Sequence, residues 1–409
     1  MPSTKLNTPC PACGSPLDPP FYAQPGVPQQ SNLLLRTQAE ALAMPTGDLA
    51  LAFCPACGFI SNTAFDFGTQ ELSDQYEASQ GFSPTFGAFA KSLARTWADR
   101  YGLAGKTAVE IGCGKGEFLA LLCREAKCRG VGFDPTLDPA RLPDTVGLDV
   151  AFRAEMFDER SAATLPDVDF VCCRHTLEHI PDVGAFVGML RRAVTGRPNV
   201  RVGFEVPDTL RVLTEGAFWD VYYEHCSYFT PGSVARLFGS CGFDVLDVRR
   251  EFHGQYVILE GAPREPRGSA PGPDGAAPTT LAQTTNDLDS LRAAVAAFPG
   301  MVKRTVDHWR TVIESTRAAG KRVAVWGASS KAVGFLSALG YTHEQVPAAV
   351  DINPHKQGTY LPTSGVPIVS PASLVQNPVD LVILMNPIYT AEVTADLNRL
   401  GVRADVVAM

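Results

Sequence analysis

The stretch Ala108-Val-Glu-Ile-Gly-Cys-Gly-Lys-Gly-Glu117 limits what this chain can be more than any other. Ala108 to Ile111 reads as a short buried strand interrupted by one acid, Glu110. Glycines follow at alternate positions, Gly112, Gly114 and Gly116, with Cys113 between the first two. An apolar helical run from Phe118 to Leu122 comes next. Strand, glycine turn and helix in that order open a doubly wound α/β domain where a phosphate or nucleoside is cradled. Glycine lets the backbone come close to a ligand, and the helix start offers free N–H groups. The third glycine comes one residue too early for the dinucleotide fingerprint G-x-G-x-x-G. About 20 residues further on, Gly130-Val-Gly-Phe-Asp134 reads as the second strand, ending in an acid placed for ribose hydroxyls. The competing reading is a dehydrogenase, or a Rossmann-like fold without a cofactor.

With 409 residues the chain has room for two or three domains, each with its own core. A net charge of −8 argues against a non-specific nucleic-acid binder. The start, Met1 to Thr8, lacks the apolar segment of a signal peptide. No apolar run reaches the roughly 18 residues that a membrane span needs. Eleven cysteines are present, four of them in two C-x-x-C pairs. In a large chain without an export signal this points to a reducing cytoplasm and one metal site rather than disulfides.

The two pairs are Cys10-Pro-Ala-Cys13-Gly14 and Cys54-Pro-Ala-Cys57-Gly58. A two-residue spacer lets both thiolates of a pair meet one ion, and the glycine allows the turn beneath. Four thiolates close a tetrahedral shell, so Cys10, Cys13, Cys54 and Cys57 are expected to hold a structural zinc. Redox chemistry is the rival and needs only one pair. Residues 14–53 between the pairs, with Pro19, Pro20, Pro25, Gly26 and Pro28, read as too irregular to hold much core without the metal.

Ser83-Pro84 starts a helix whose apolar residues, Phe86, Phe89, Ala90, Leu93, Ala94 and Trp97, recur at helical spacing. This helix is expected to cover the cofactor site. Val168 to Cys173 reads as a buried strand, and Arg174-His175-Thr-Leu-Glu178-His179 sits at its carboxyl end, where open α/β sheets bind ligands. His175 is therefore a candidate cofactor contact. Val200 to Val206 is a further strand, followed by the aromatic-rich run Phe218-Trp-Asp-Val-Tyr222-Tyr223-Glu224-His225-Cys-Ser-Tyr228. Plain core would not need an adjacent Glu–His pair, because buried charges require partners. Strands near 243–248 and 255–260 finish the sheet. The spacing divides the chain into a zinc module over 1–75, a cofactor domain over 76–260 and a Pro/Gly linker over 261–281. A helical lead-in and a second Rossmann-like unit follow over 282–409. In that unit Val323 to Trp326 leads into Gly327-Ala-Ser-Ser-Lys331. Its turn is incomplete as a dinucleotide fingerprint, so no second cofactor is expected.

Glu110-x-Gly-x-Gly-x-Gly resembles motif I of the class I methyltransferases that use S-adenosylmethionine. Over nearly the whole chain, the order of motifs resembles the three-domain, zinc-containing sugar C-methyltransferases. These motifs are the two cysteine knuckles, Glu110-Ile-Gly-Cys-Gly, Leu177-Glu-His179-Ile, Tyr222-Tyr-Glu224-His225-Cys-Ser-Tyr228-Phe and Asp351-Ile-Asn-Pro-His-Lys-Gln-Gly. Those enzymes act on nucleotide-linked 4-keto deoxysugars. The resemblance implies S-adenosylmethionine at Glu110, Gly112, Cys113, Gly114, Gly116 and Asp134. It implies a sugar nucleotide between the middle and C-terminal domains. It places residues matching Tyr222 and His225 near the carbon that loses its proton, and Tyr76, His179 and Glu224 around the same site. Family members usually carry His-Glu-His where this chain has Tyr223-Glu224-His225.

Methylating carbon beside a ketone needs a base and a stabilised enolate oxygen. His225, tuned by Glu224, is the candidate base, since imidazole titrates near neutrality. Tyr222 is a candidate donor to the enolate oxygen or an alternate base. A plain buried Glu224–His225 ion pair is the structural alternative, and capping a helix start is that for His179. Two rivals stay open. One is an O- or N-methyltransferase on the same scaffold. The other is a zinc-stapled scaffold that binds ligands without turnover.

Overall fold

The structure, a computed structural model, describes residues 8–69, 73, 75–165, 167–265 and 286–409. Most of the expected 261–281 linker lies outside them, as do Asp74 and the first seven residues. The central layer is a seven-stranded sheet. From one edge its strands are Phe243–Glu251, Tyr256–Pro263, Arg201–Pro207, Phe170–Arg174, Thr107–Ile111, Arg129–Phe133 and Val150–Arg153. The last five run parallel, and the first two form an antiparallel hairpin at the edge. The strand order reverses between Thr107–Ile111 and Phe170–Arg174. A crevice opens at such a switch point, beyond the carboxyl ends of the strands. The glycine turn and Arg174-His175 both sit there.

The expected helix starts where the sequence places it. The Ser83 side chain accepts from the Phe86 N–H, Pro84 takes the first turn, and the helix runs Pro84–Tyr101. Its apolar stripe drives Trp97 between Phe118 and Phe170, with ring centroids 5.7 and 5.2 Å away. Trp97 also donates to Glu260 at 3.0 Å, which satisfies its indole N–H in the core.

The reading of residues 14–53 as irregular is corrected. Tyr22–Pro28 and Thr46–Phe53 pair antiparallel, with Pro25 and Gly26 absorbed in a register shift between Gln24 and Val27. A bulge admits proline and glycine without ending the strand. Leu49, Leu51 and Phe53 are buried and share a core with the C-terminal half of the chain. This four-stranded sheet takes its last strand, Ser227–Tyr228, from the aromatic-rich run. The first module thereby stitches itself to the segment that carries His225.

The helix Leu288–Ala318 buries Leu291, Val295, Phe298, Val302, Val306, Trp309 and Ile313, a stripe at steps of three and four. Phe298 meets Tyr22 edge-on at 5.3 Å, and Trp309 meets Phe335 at 5.7 Å. The helix thus joins the first module to a five-stranded parallel sheet, ordered Ile368–Val369, Ala348–Val350, Val323–Trp326, Leu381–Leu384 and Asp405–Ala408. In this second unit the turn after Val323–Trp326 is filled by the protein itself. Lys356 Nζ donates to the Ala328 carbonyl at 3.0 Å and to Asn32 at 3.1 Å. The Ala328 N–H donates to Asp351 at 2.9 Å. Among the described residues no helix is long and apolar enough to cross a membrane.

Candidate active site

A cavity of about 510 Å³ runs from the first glycine turn to the aromatic-rich run and on to Ser329–Lys331 of the second unit. Two glycines of the turn have separate physical reasons. Gly112, at φ +69°, would place a Cβ 2.0 Å from Thr176 Oγ1, so only glycine fits. Gly114, at φ +54°, faces open space, where a ligand can approach the backbone. Its N–H donates to Asp134 Oδ2 at 2.8 Å, while Asp134 Oδ1 accepts from Thr136 N and Oγ1 at 2.8 and 2.7 Å. A carboxylate has about four acceptor sites, so one on Oδ2 stays free. Cys113 lines the cavity with a thiol that burial pushes up and keeps neutral. Gly116 does not line it. A Cβ there would stand 2.5 Å from Phe152, so this glycine serves the packing of the helix start.

Glu110 is 2% exposed and accepts from the Leu119 N–H in the first turn of the helix Glu117–Ala126. It therefore braces that turn, where an acid also meets the positive end of the helix dipole. Burial pushes its carboxyl up to about 8, against the pull of Arg174. Its Oε2 has no hydrogen-bond partner. Arg174 grips Glu205 through two bonds of 3.0 and 3.1 Å and lies over the Phe118 ring at 4.0 Å.

His175, with φ +50°, puts Nε2 2.6 Å from Glu205 and Nδ1 3.5 Å from Glu178. Both ring nitrogens are therefore turned to acids, and any ligand contact falls on the carbon edge of the ring. Burial opposes its charge, but Glu205 and Glu178 outweigh it and raise the imidazole to about 9. A folded state that holds a proton more tightly than the unfolded chain is most stabilised below the ordinary value of 6.5. That contribution is lost as pH rises through about 9. Guanidinium unfolding at pH 6 and pH 10 should show a loss of up to about 3 kcal/mol from this group. His175→Asn should lack that part of the slope, and an equal slope in the variant would refute the assignment.

At the other end of the cavity the aromatic-rich run turns through Phe218–Asp220 before pairing as Ser227–Tyr228. The Tyr222 and His225 rings lie 4.1 Å apart, and His179 meets His225 edge-on at 4.8 Å. Burial, with His179, His175 and Lys331 adding to it, pushes the His225 imidazole well below its usual range and keeps it neutral. Burial first, then Asp220, Tyr76 and Glu224, pushes the Tyr222 hydroxyl well up, so it stays a donor and does not become an alternate base.

The expected Glu224–His225 pairing is corrected. The Glu224 carboxylate accepts from Ser31 N at 3.1 Å and from the Ser31 hydroxyl, and Tyr76 bonds to it as well. Its backbone carbonyl meets His179 Nδ1 at 3.0 Å, and its carboxylate feels the charge of His179 but not that of His225. Glu224 sits in a turn closed by the His225 N–H to the Tyr222 carbonyl at 3.2 Å, ahead of the strand Ser227–Tyr228. The two neighbouring side chains leave that turn toward different partners, which is why adjacency in sequence misleads. Tyr223, in the place of the family's first histidine, is 2% exposed, and its hydroxyl accepts from Asp66 N at 3.0 Å.

Tyr76, His179, Tyr222, Glu224 and His225 thus share one cavity with Glu110, Gly112, Cys113, Gly114, Asp134 and His175. Ser31, Asn32 and Lys331 were not expected in a role, and Glu178 was expected only as one of the groups at the carboxyl end of its strand. Ser31 Oγ and Asn32 Nδ2 reach Ser330 Oγ at 2.7 and 2.8 Å, and Lys331 pairs with Asp220, which Arg211 also grips. No local motif marks Ser31 and Asn32, since their partners Glu224 and Ser330 lie more than a hundred residues away.

The four knuckle cysteines converge. Cys10 and Cys57 sulfurs are 3.7 Å apart, and Cys13 and Cys54 sulfurs 3.6 Å, with all four free of disulfides. A tetrahedron of thiolates bonded at about 2.3 Å has edges of about 3.8 Å, so the set fits a zinc ion. Gly14 and Gly58 N–H groups each donate to the first cysteine carbonyl of their knuckle at 2.8 Å.

Comparison with known proteins gives two family matches. A methyltransferase domain matches residues 85–248, and a C-methyltransferase C-terminal domain matches residues 281–404. The C-methyltransferase NovU of Streptomyces niveus is 29% identical over 308 residues, 74% of this chain and 72% of that protein. The ubiquinone biosynthesis O-methyltransferase of Cupriavidus pinatubonensis is 29% identical over 168 residues, only 36% of this chain and 64% of the relative. Among solved structures, the 1,6-didemethyltoxoflavin N1-methyltransferase of Burkholderia thailandensis aligns with a TM-score of 0.34 at 19% identity. That alignment covers 44% of this chain and 82% of the other, and it is too loose to bear on activity.

Proposed function

Since the chain belongs to a family of S-adenosylmethionine-dependent C-methyltransferases, we propose that it methylates a carbon next to a ketone, in a nucleotide-linked deoxysugar, through an enolate. The observation that carries this reading is a neutral, buried His225 against a protonated Tyr222 in the cavity that also holds the glycine cradle.

A carbon acid needs a strong base, whereas an oxygen or nitrogen nucleophile needs little activation. His225 takes the α-proton on a ring nitrogen, and the C–H electron pair passes into the enolate. The Tyr222 hydroxyl donates to the enolate oxygen, a bond that strengthens as charge develops there. Glu224 holds Tyr76 and Ser31, and His179 is oriented through the Glu224 carbonyl. The cofactor supplies an electrophilic methyl group on its sulfonium when bound. Gly112, Gly114 and Asp134 are its proposed cradle, with Glu110 bracing the helix start behind them. The four cysteines are proposed to hold zinc in a structural role, because four thiolates leave no position open for chemistry.

Asp134→Ala should weaken S-adenosylhomocysteine by about 1.5–3 kcal/mol, roughly 10- to 150-fold, as for a lost charge-assisted hydrogen bond. Calorimetry showing unchanged affinity would remove Asp134 from the cradle. The reaction itself is tested by offering nucleoside-diphosphate 4-keto-6-deoxyhexoses with the methyl donor and locating the new methyl by NMR. A methyl on carbon beside the former ketone supports the proposal. A methyl on oxygen or nitrogen ends the enolate mechanism and favours the O- or N-methyltransferase reading.

A further inference from the structure

Glu178 is 1% exposed in the wall of the cavity, and the Leu177-Glu-His179-Ile motif around it was given a role only for the histidine. Its Oε2 has no hydrogen-bond partner, and its Oε1 faces His175 Nδ1 at 3.5 Å. One of its oxygens and one ring nitrogen each of His179 and His225 lie within 4.8 Å of one another. A carboxylate left this poorly matched in an interior is costly, and a fold that keeps one keeps a negative charge where it is placed.

The place is beside the histidine pair. The groups whose charge acts on His225 are basic: His179 and His175 from the segment after Phe170–Arg174, and Lys331 from the second unit. Tyr222 and Tyr228 present rings, and Glu224 has its carboxylate turned to Ser31 and Tyr76. A proton arriving on His225 would therefore make a cation among basic groups, with one carboxylate near enough to balance it.

We propose that Glu178 is the positioning residue of the reaction, the counter-ion that stabilises the imidazolium His225 becomes on taking the substrate proton. The proposal rests on the enolate reading of His225. The substrate C–H bond breaks, its electron pair goes to the enolate, and the proton binds His225. It passes to solvent after methyl transfer, and no oxidant or reductant takes part. His175, held between Glu205 and Glu178, keeps the carboxylate in place while no substrate proton is on the pair.

The test uses the full chain with its zinc, saturated with S-adenosylhomocysteine, in deuterated water. A set of nucleoside-diphosphate 4-keto-6-deoxyhexoses is followed by NMR for exchange of the proton next to the ketone. Glu178→Gln keeps the shape and removes the charge. Its exchange rate should fall about 10- to 100-fold, the effect of weakening the base by one to two pKa units. The acid limb of its rate profile should move to lower pH, because the imidazolium has lost its partner. Glu178→Asp should recover part of the rate, and S-adenosylhomocysteine should bind both variants as it binds the wild type. A lost rate together with lost cofactor binding marks a structural residue and overturns the proposal. So does a Glu178→Gln enzyme with full exchange and an unmoved limb. If chelation stops wild-type exchange and cobalt(II) restores it, the three side chains are cation ligands and the proposal is again overturned. His225→Asn separates the two levels. If it exchanges normally, or if the wild type exchanges none of the sugars, the enolate reading falls and this proposal with it. If His225→Asn is dead and Glu178→Gln is normal, only the role of Glu178 falls.

Discussion

His225→Asn is expected to lower both α-proton exchange and methyl transfer by about 10²–10⁴-fold, the range for loss of a general base. Asparagine keeps a polar group of similar size in a site that is 6% exposed, so the wall should not collapse. S-adenosylhomocysteine affinity should hardly change, because the glycine cradle is at the other end of the cavity. The pH dependence follows from the environment. Burial first, then His179, His175 and Lys331, hold the imidazole below its usual range. The wild-type rate should therefore stay on its plateau through pH 6, where an unperturbed histidine base would already be titrating. An acid limb centred near 6.5 would mean that the base is exposed or is another group. Tyr222→Phe should cost less than His225→Asn, since it removes one hydrogen bond to the oxyanion and leaves proton transfer possible.

The second large effect concerns stability. Cys54→Ser is expected to release one zinc equivalent per chain and to lower the guanidinium midpoint, because the binding energy of a structural zinc is folding energy. Cys54 is fully buried, and its neighbours in the same core include Phe59, Val183 and Phe229. The first knuckle also touches the catalytic domain directly, with Gly184 N–H donating to the Pro11 carbonyl at 3.0 Å. The damage should therefore spread beyond the knuckles to the segment carrying His179. It should not unravel the sheet of Tyr22–Pro28 and Thr46–Phe53, whose core is shared with the helix Leu288–Ala318. Elemental analysis and circular dichroism on the same sample check both halves. A Cys54→Ser protein that keeps its zinc, or a wild type purified without any, would refute the site.

Much of the outline was legible. The strand, glycine turn and helix around Gly112, the acid of Asp134 and the helix capped by Ser83 all depend on local periodicity and turn chemistry. The paired knuckles were equally readable, since their spacing is itself the geometry of a metal site. The hairpin Tyr22–Pro28 with Thr46–Phe53 was not. Prolines that normally end a strand are tolerated at a bulge, and only the partner strand reveals one.

At the site, the sequence alone determined which residue types were at hand and which end of the sheet would carry them. Glu110, Gly112 and Gly114 on one side and Tyr222 and His225 on the other were all marked by local pattern. Tertiary structure alone decided which acid lies beside which histidine. Glu224 precedes His225 in the chain, yet its carboxylate goes to Ser31, 193 positions away. Glu178 is far from His225 in sequence and within 4.8 Å of it in space. The reason is that the turn at Tyr222–His225 sends neighbouring side chains to different partners, while tertiary packing brings distant ones together. Charge pairing follows distance in space, and a linear pattern does not encode that distance.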